Sequence, residues 1–147
     1  MRFEGDFAVA APPERVRAVL LDVEGMATCL PGAENVRQTE PERYAGTLKV
    51  KLGPIAASFE LTGALRSSND LVAVDLRGRE RLTATLVQAS FEARLAEAEP
   101  GTRVGYALDV TLRGKLGQMG QAVFQDVASK LTAQTIACLQ QRIERGG

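Results

Sequence analysis

From Val36 to Gly114 the chain reads as six strand-like stretches in succession, and a single amphipathic run closes it. In "RYAGTLKVKL", "IAASFELTGALRS" and "TRVGYALDVTLRG" the apolar residues fall on alternate positions. They are Gly46, Leu48, Val50 and Leu52 in the first, Ile55, Ala57, Phe59, Leu61 and Leu65 in the second, and Val104, Tyr106, Leu108, Val110 and Leu112 in the third. Successive side chains of a strand point to opposite faces, so each stretch carries one face that must be covered. "VRQTE", "LVAVDLRG" and "TLVQASFEARLAE" complete the series, with "PE", "GP", "SND", the Arg-rich "RGRERL" and "EPGT" as breaks. Breaks this short join antiparallel hairpins into a meander.

The cover comes from the tail, "KLGQMGQAVFQDVASKLTAQTIACLQQRIERGG". Met119, Val123, Val127 and Leu131 recur every four residues, joined by Leu116, Phe124, Ile136, Leu139 and Ile143, with Gln118, Gln125, Lys130 and Gln141 on the other side. The pattern predicts one long helix, stopped where "RGG" supplies a cation and glycines. Ahead of the meander, "RFEGDFAV" alternates as a first strand. A helix then starts at Pro12 or Pro13, with Glu14 in its first turn and Val16, Val19, Leu20 and Val23 at helical spacing. A second helical turn, "EGMATCL", ends at Leu30, because Pro31 disfavours helical geometry in its predecessor and Gly32 permits a turn. The expected fold is α+β: a curved antiparallel sheet of about seven strands wrapped around a long C-terminal helix, with two short helices after the first strand. A chain of 147 residues is expected to form a single domain, residues 1–147. A sheet curled round a helix commonly leaves an apolar cavity between the two.

Composition narrows the chemistry. Histidine is absent, which removes the usual general base and the commonest metal ligand. No metal or cofactor is expected, since the glycines of "GKLGQMGQ" match neither a P-loop nor the dinucleotide fingerprint and read better as close packing of a helix start. Eighteen basic residues balance eighteen acidic ones and look scattered, so nucleic acid is not an expected partner. No apolar run is long enough to span a membrane. Arg2, Glu4 and Asp6 interrupt what would be a signal-peptide core, which points to the cytoplasm. Cys29 and Cys138, without C-x-x-C spacing, are then expected as reduced, packed thiols.

Four stretches together, "FAVAAPPERV" at 7–16, "CLPGAE" at 29–34, "YAGTLKVKLGPI" at 44–55 and "GKLGQMG" at 114–120, resemble the CoxG family of carbon monoxide dehydrogenase accessory proteins. That family belongs to the START-like, Bet v 1-like (SRPBCC) superfamily of helix-grip ligand binders. The resemblance implies a non-catalytic accessory of a molybdenum hydroxylase, cytoplasmic and in peripheral contact with the inner face of the cell membrane. Such an enzyme must pass electrons to a membrane pool, so a quinone or a lipid is the cargo that shape and context indicate.

Strand parity and helix spacing nominate the residues that meet such a ligand: Phe59, Phe91, Tyr106 and Leu108 from the sheet, and Met119, Val123, Phe124 and Val127 from the tail. Leu30 and Pro31 are added as a lip at the open end. Each nomination has a plainer alternative. "LPGAE" serves equally as a tight corner, the helix face as filled core, "LGP" at 52–54 as a β-turn, and Arg77, Arg79 and Arg81 as a solvated loop rather than a contact for an acidic partner or anionic lipid. Two other functions stay open: a cyclase-like enzyme, for which Asp75, Asp109 and Tyr106 are the titratable candidates, and a docking protein with a solid core.

Overall fold

The computed structural model describes residues 1–145. The alternation of "RFEGDFAV" becomes β1 (Arg2–Val9), followed by α1 (Pro13–Leu21) and α2 (Val23–Ala27). The meander is β2 (Ala33–Glu40), β3 (Arg43–Leu52), β4 (Ile55–Ser67), β5 (Leu71–Glu80), β6 (Leu86–Ala98) and β7 (Gly101–Arg113). A 3-10 turn, Lys115–Gln118, leads to α3 (Gln121–Glu144). All strand pairs are antiparallel, in the order β1-β7-β6-β5-β4-β3-β2. The chain leaves β1 at one edge and enters β2 at the other, and α1 and α2 make that crossing.

The local chemistry matches these boundaries. Pro13 opens α1 where its missing N–H costs nothing, and Glu14 sits in the first turn. Asp22 caps α2 by accepting the Gly25 N–H at 3.2 Å. "LPGA" is a tight turn closed by Ala33 N–H donating to Leu30 O at 3.1 Å, with Gly32 at φ +89°. A side chain at Gly32 would collide with the Lys49 carbonyl, and the Gly32 carbonyl accepts the Lys49 N–H at 2.9 Å, so the corner is pinned to β3. Gly53, also at positive φ, turns the two-residue hairpin between Leu52 and Ile55.

The core forms at two ends of the grip. One cluster gathers Val9, Val16, Leu20, Cys29, Val72, Ala93, Leu95, Val104, Leu139 and Ile143, joining α1, α2, the sheet and the C-terminal part of α3. The other gathers Leu52, Ala57, Phe59, Leu116 and Phe124, at the start of α3. Arg142 adds a polar clamp to the first cluster: its guanidinium donates to Gly25 O at 2.9 Å and to Thr28 Oγ1 at 3.1 Å, and lies 3.3 Å from Asp22.

Three expectations need correction. The tail is not one helix, because Leu116 belongs to the 3-10 turn and Met119 precedes α3. Gly117 packs so closely on β7 that a Cβ would lie 2.6 Å from Leu112 O. Arg145 caps α3 through its N–H to Gln141 O, and the two glycines expected to stop the helix lie outside the described residues. Cys29 and Cys138 are not free thiols: α3 returns to the end of α2, and the two are joined as a disulfide with Cα atoms 5.4 Å apart. A bonded pair is the form an oxidising compartment maintains.

The third correction concerns "RGRERL", expected as a break. β5 continues through it, with Arg77 and Arg79 turned outward and Glu80 inward, where it is buried opposite Phe59. The Glu80 carboxylate accepts the backbone N–H groups of Ser58, Leu82 and Thr83 at 2.9, 3.1 and 2.8 Å, and the Thr83 hydroxyl at 2.8 Å. Burial by itself would raise its pKa, but these donors outweigh it and hold the group down at about 2. Because the folded value is depressed, the carboxylate contributes stability above its ordinary value near 4.5, and that contribution is lost as pH falls toward 2. Glu80→Gln is expected to cost about 2 kcal/mol at neutral pH. Chemical denaturation at a series of pH values should show the deficit narrowing between 4.5 and 2; a deficit constant across that range would contradict the assignment.

Candidate functional site

The helix that the sheet grips is secured at its ends. The fully buried residues of α3 are Phe124 near its start and Leu139 and Ile143 near its end, while Val127, Leu131 and Ile136 between them are only part-buried. Its close backbone neighbours are β1, β3 and α1. The strands behind the middle of the helix show the same pattern. Val74 and Leu76 on β5, Ala89 on β6, and Leu108 and Val110 on β7 all face the helix side by register. Each keeps part of its surface accessible, and none belongs to either core cluster. Apolar side chains that face a helix without being sealed by it line a space rather than a filled layer.

The nominated residues divide among these regions. Phe59 and Phe124 are 6% and 9% exposed and form part of the second core cluster, with Met119, Val123 and Val127 packed against it. Phe91 packs against the first cluster. Only Leu108 and Tyr106 lie on the intervening wall. The Tyr106 ring lies 6.3 Å from that of Phe7 and reaches across β1, where its hydroxyl fills the place a Cβ of Gly5 would take. Leu30 is part-buried and Pro31 exposed in the turn that follows α2, so the turn is a rim and not a wall. A recess of about 270 Å³ opens between the end of β7 and the start of α3, bordered by Met1, Val110, Leu112, Met119 and Phe124.

Val74, Leu76, Ala89 and Val110 are wall residues that the sequence patterns did not nominate. Their signal is the parity of β5 and β6, which becomes readable only once Glu80 is seen to continue the inward row of β5. The catalytic candidates Asp75 and Asp109 point away from the helix and are ion-paired. Asp75 sits 2.8 Å from Arg66, whose hydrogen bond lowers its pKa, and Asp109 sits 2.6 Å from Arg2. Among the described residues the buried polar side chains are Glu80, Thr85 and Thr102. Thr85 accepts the Leu116 N–H at 3.1 Å and Thr102 donates to Ala11 O at 2.7 Å, so each is committed to holding the fold. No helix among the described residues is long and apolar enough to cross a membrane, and no group of three potential metal-ligating side chains is found among them.

A family model for the carbon monoxide dehydrogenase protein CoxG matches residues 5–144. The chain belongs to the CoxG family. No curated protein sequence matches it. Among solved structures, a conserved protein from Geobacillus kaustophilus superposes with a TM-score of 0.86 at 16% identity, covering 99% of this chain and 96% of that one. The Zhui aromatase/cyclase from Streptomyces sp. R1128 gives a TM-score of 0.73 at 19% identity, covering 99% and 94%. Ara h 8.0201 gives 0.65 at 15% identity, covering 97% of each. At these identities the likeness establishes the fold: the helix grip of the Bet v 1-like proteins, as the sequence patterns and the CoxG resemblance indicated.

The wall and the clusters should respond differently to added volume. Ala57 is 3% exposed inside the second cluster, whereas Ala89 lies on the wall between Leu76 and Val110. Overpacking a filled core costs roughly 1–3 kcal/mol. Ala57→Phe is therefore expected to lower stability by that amount in thermal or chemical unfolding, and Ala89→Phe to leave it nearly unchanged. Equal losses in both variants would mean the middle of the grip is solid.

Proposed function

We propose that this protein is a non-catalytic accessory that takes an apolar small molecule between α3 and the sheet. We further propose that it serves a molybdenum hydroxylase of the carbon monoxide dehydrogenase type at the cytoplasmic membrane. The observation that carries the first part is the part-accessible apolar wall between two closed core clusters. Each buried apolar side chain is worth roughly 1.5–3 kcal/mol when removed from water, so such a wall favours an apolar occupant. Family membership supports the second part. A quinone is the cargo that joins the two, because it dissolves in the bilayer and accepts electrons from a dehydrogenase.

A cyclase-like enzyme is less well supported. Reaction chemistry needs a titratable group inside the cavity, yet Asp75 and Asp109 are outside and the buried Glu80 is saturated with donors. The Tyr106 hydroxyl alone does not provide an acid and a base.

Protein purified without detergent can be incubated with vesicles containing ubiquinone or menaquinone, re-isolated, and extracted for chromatography. A stoichiometric quinone is expected in the wild-type extract, and strongly reduced loading in Ala89→Trp, whose added ring occupies the wall. Absence of quinone under all conditions would reject the cargo, and equal loading in the variant would reject the site.

A further inference from the structure

The outer face of the sheet, turned away from α3, is divided by charge. Toward one end, arginines of β1, β4, β6 and β7 have carboxylate partners: Arg2 pairs with Glu4 and Asp109, Arg103 with Asp6, Arg66 with Asp75, and Arg94 with Glu92. Toward the other end, Arg37, Arg77, Arg79 and Arg113 take part in none of the ion pairs among the described residues. Register explains their convergence. Arg37 lies opposite Ala45, and a row runs from there through Thr62, Arg77 and Gln88 to Thr111. The adjacent row runs from Glu60 through Arg79 and Leu86 to Arg113. Residues from both rows border an open groove of about 730 Å³. Its single carboxylate, Glu60, accepts the Thr47 hydroxyl at 2.9 Å. Arginines that look scattered along a chain of zero net charge are thus gathered by folding into one concavity.

We infer that this groove docks an acidic segment of a partner protein. Four guanidiniums outside the ion pairs of the described residues raise the local positive potential, and each offers a fork that matches a carboxylate. Gln88, Thr62 and Thr111 supply neutral donors and acceptors for a peptide backbone, and Leu86, 46% exposed, supplies an apolar contact. A concavity crossed by several strands admits a protruding segment and excludes a planar bilayer. The lining contains no aromatic side chain on which bases could stack. Because groove and grip occupy opposite faces of one sheet, docking here is independent of what the cavity holds.

The test is a titration of the full chain, labelled with nitrogen-15, by a short synthetic peptide rich in glutamate. Backbone amide shifts are expected at Thr62, Arg77, Gln88 and Thr111, with affinity falling as salt is raised. The double variant Arg77→Glu with Arg79→Glu should weaken binding roughly tenfold or more, whereas Arg15→Glu, exposed on α1, should not. Should the double variant fail to fold, Arg113→Glu substitutes for it. Shifts scattered over all basic residues, or unchanged affinity in the groove variants, would overturn the inference. So would phosphatidylglycerol vesicles or a single-stranded oligonucleotide moving the same amides at lower concentration than the peptide. Quinone loading of the groove variants, expected to be unchanged, keeps failure here distinct from failure of the cavity proposal.

Discussion

The structure depends on how α3 is held. A helix packed along its whole length against the sheet would leave nothing between them. Here the anchors are placed at its two ends. At one end Phe124 meets Leu116, Leu52 and Phe59. At the other, Leu139 and Ile143 enter the cluster under α1, Cys138 is bonded to Cys29, and Arg142 clamps α2. Hydrophobic burial and cross-links at the ends fix the helix position, so the middle does not have to contribute the same stability. The sheet then provides an apolar wall that the helix does not close. The ligand-binding proposal rests on the interval within this frame.

The polar groups follow the same division. Buried Glu80 is saturated by donors from β4 and from its own turn, and it joins β5 to the start of β6 at the end of the grip where the second core cluster forms. The carboxylates that a reaction would need are on the outer face, in ion pairs exposed to water. Such pairs contribute little stability each, so their arrangement bears more on what the surface attracts than on folding. Their neutrality at one end sharpens the contrast with the four arginines of the groove at the other.

Most of the fold was legible in the sequence because one-sided strands and a long amphipathic helix leave few ways to cover apolar faces. The inward sets of β3, β4 and β7 followed from alternation alone. Where alternation was carried by unlike residues it was hidden. "RGRE" reads as a polar break, yet it is strand, with Gly78 and Glu80 inward and Arg77 and Arg79 outward. That disguise concealed both the wall residues of β5 and the arginine groove. Helical spacing in the tail named the side of α3 facing the sheet, but spacing cannot distinguish a residue in a filled cluster, such as Phe124, from one beside a space, such as Leu131. Cys29 and Cys138 are 109 residues apart, and only the return of α3 to α2 brings them together. The lip proposed at "LPGAE" is a turn whose conformation Gly32 supplies.

If the middle of the grip is a container for an apolar molecule, the bound molecule should be weighable. Native mass spectrometry of the full chain, purified without detergent from a quinone-producing host, reads this directly. A species heavier than the bare chain is expected, reverting to the chain mass after organic extraction, with the extracted compound identifiable as a quinone or lipid. A bare-chain mass that persists after incubation with quinone-containing vesicles would contradict the container, and would leave a protein that acts through its surfaces alone.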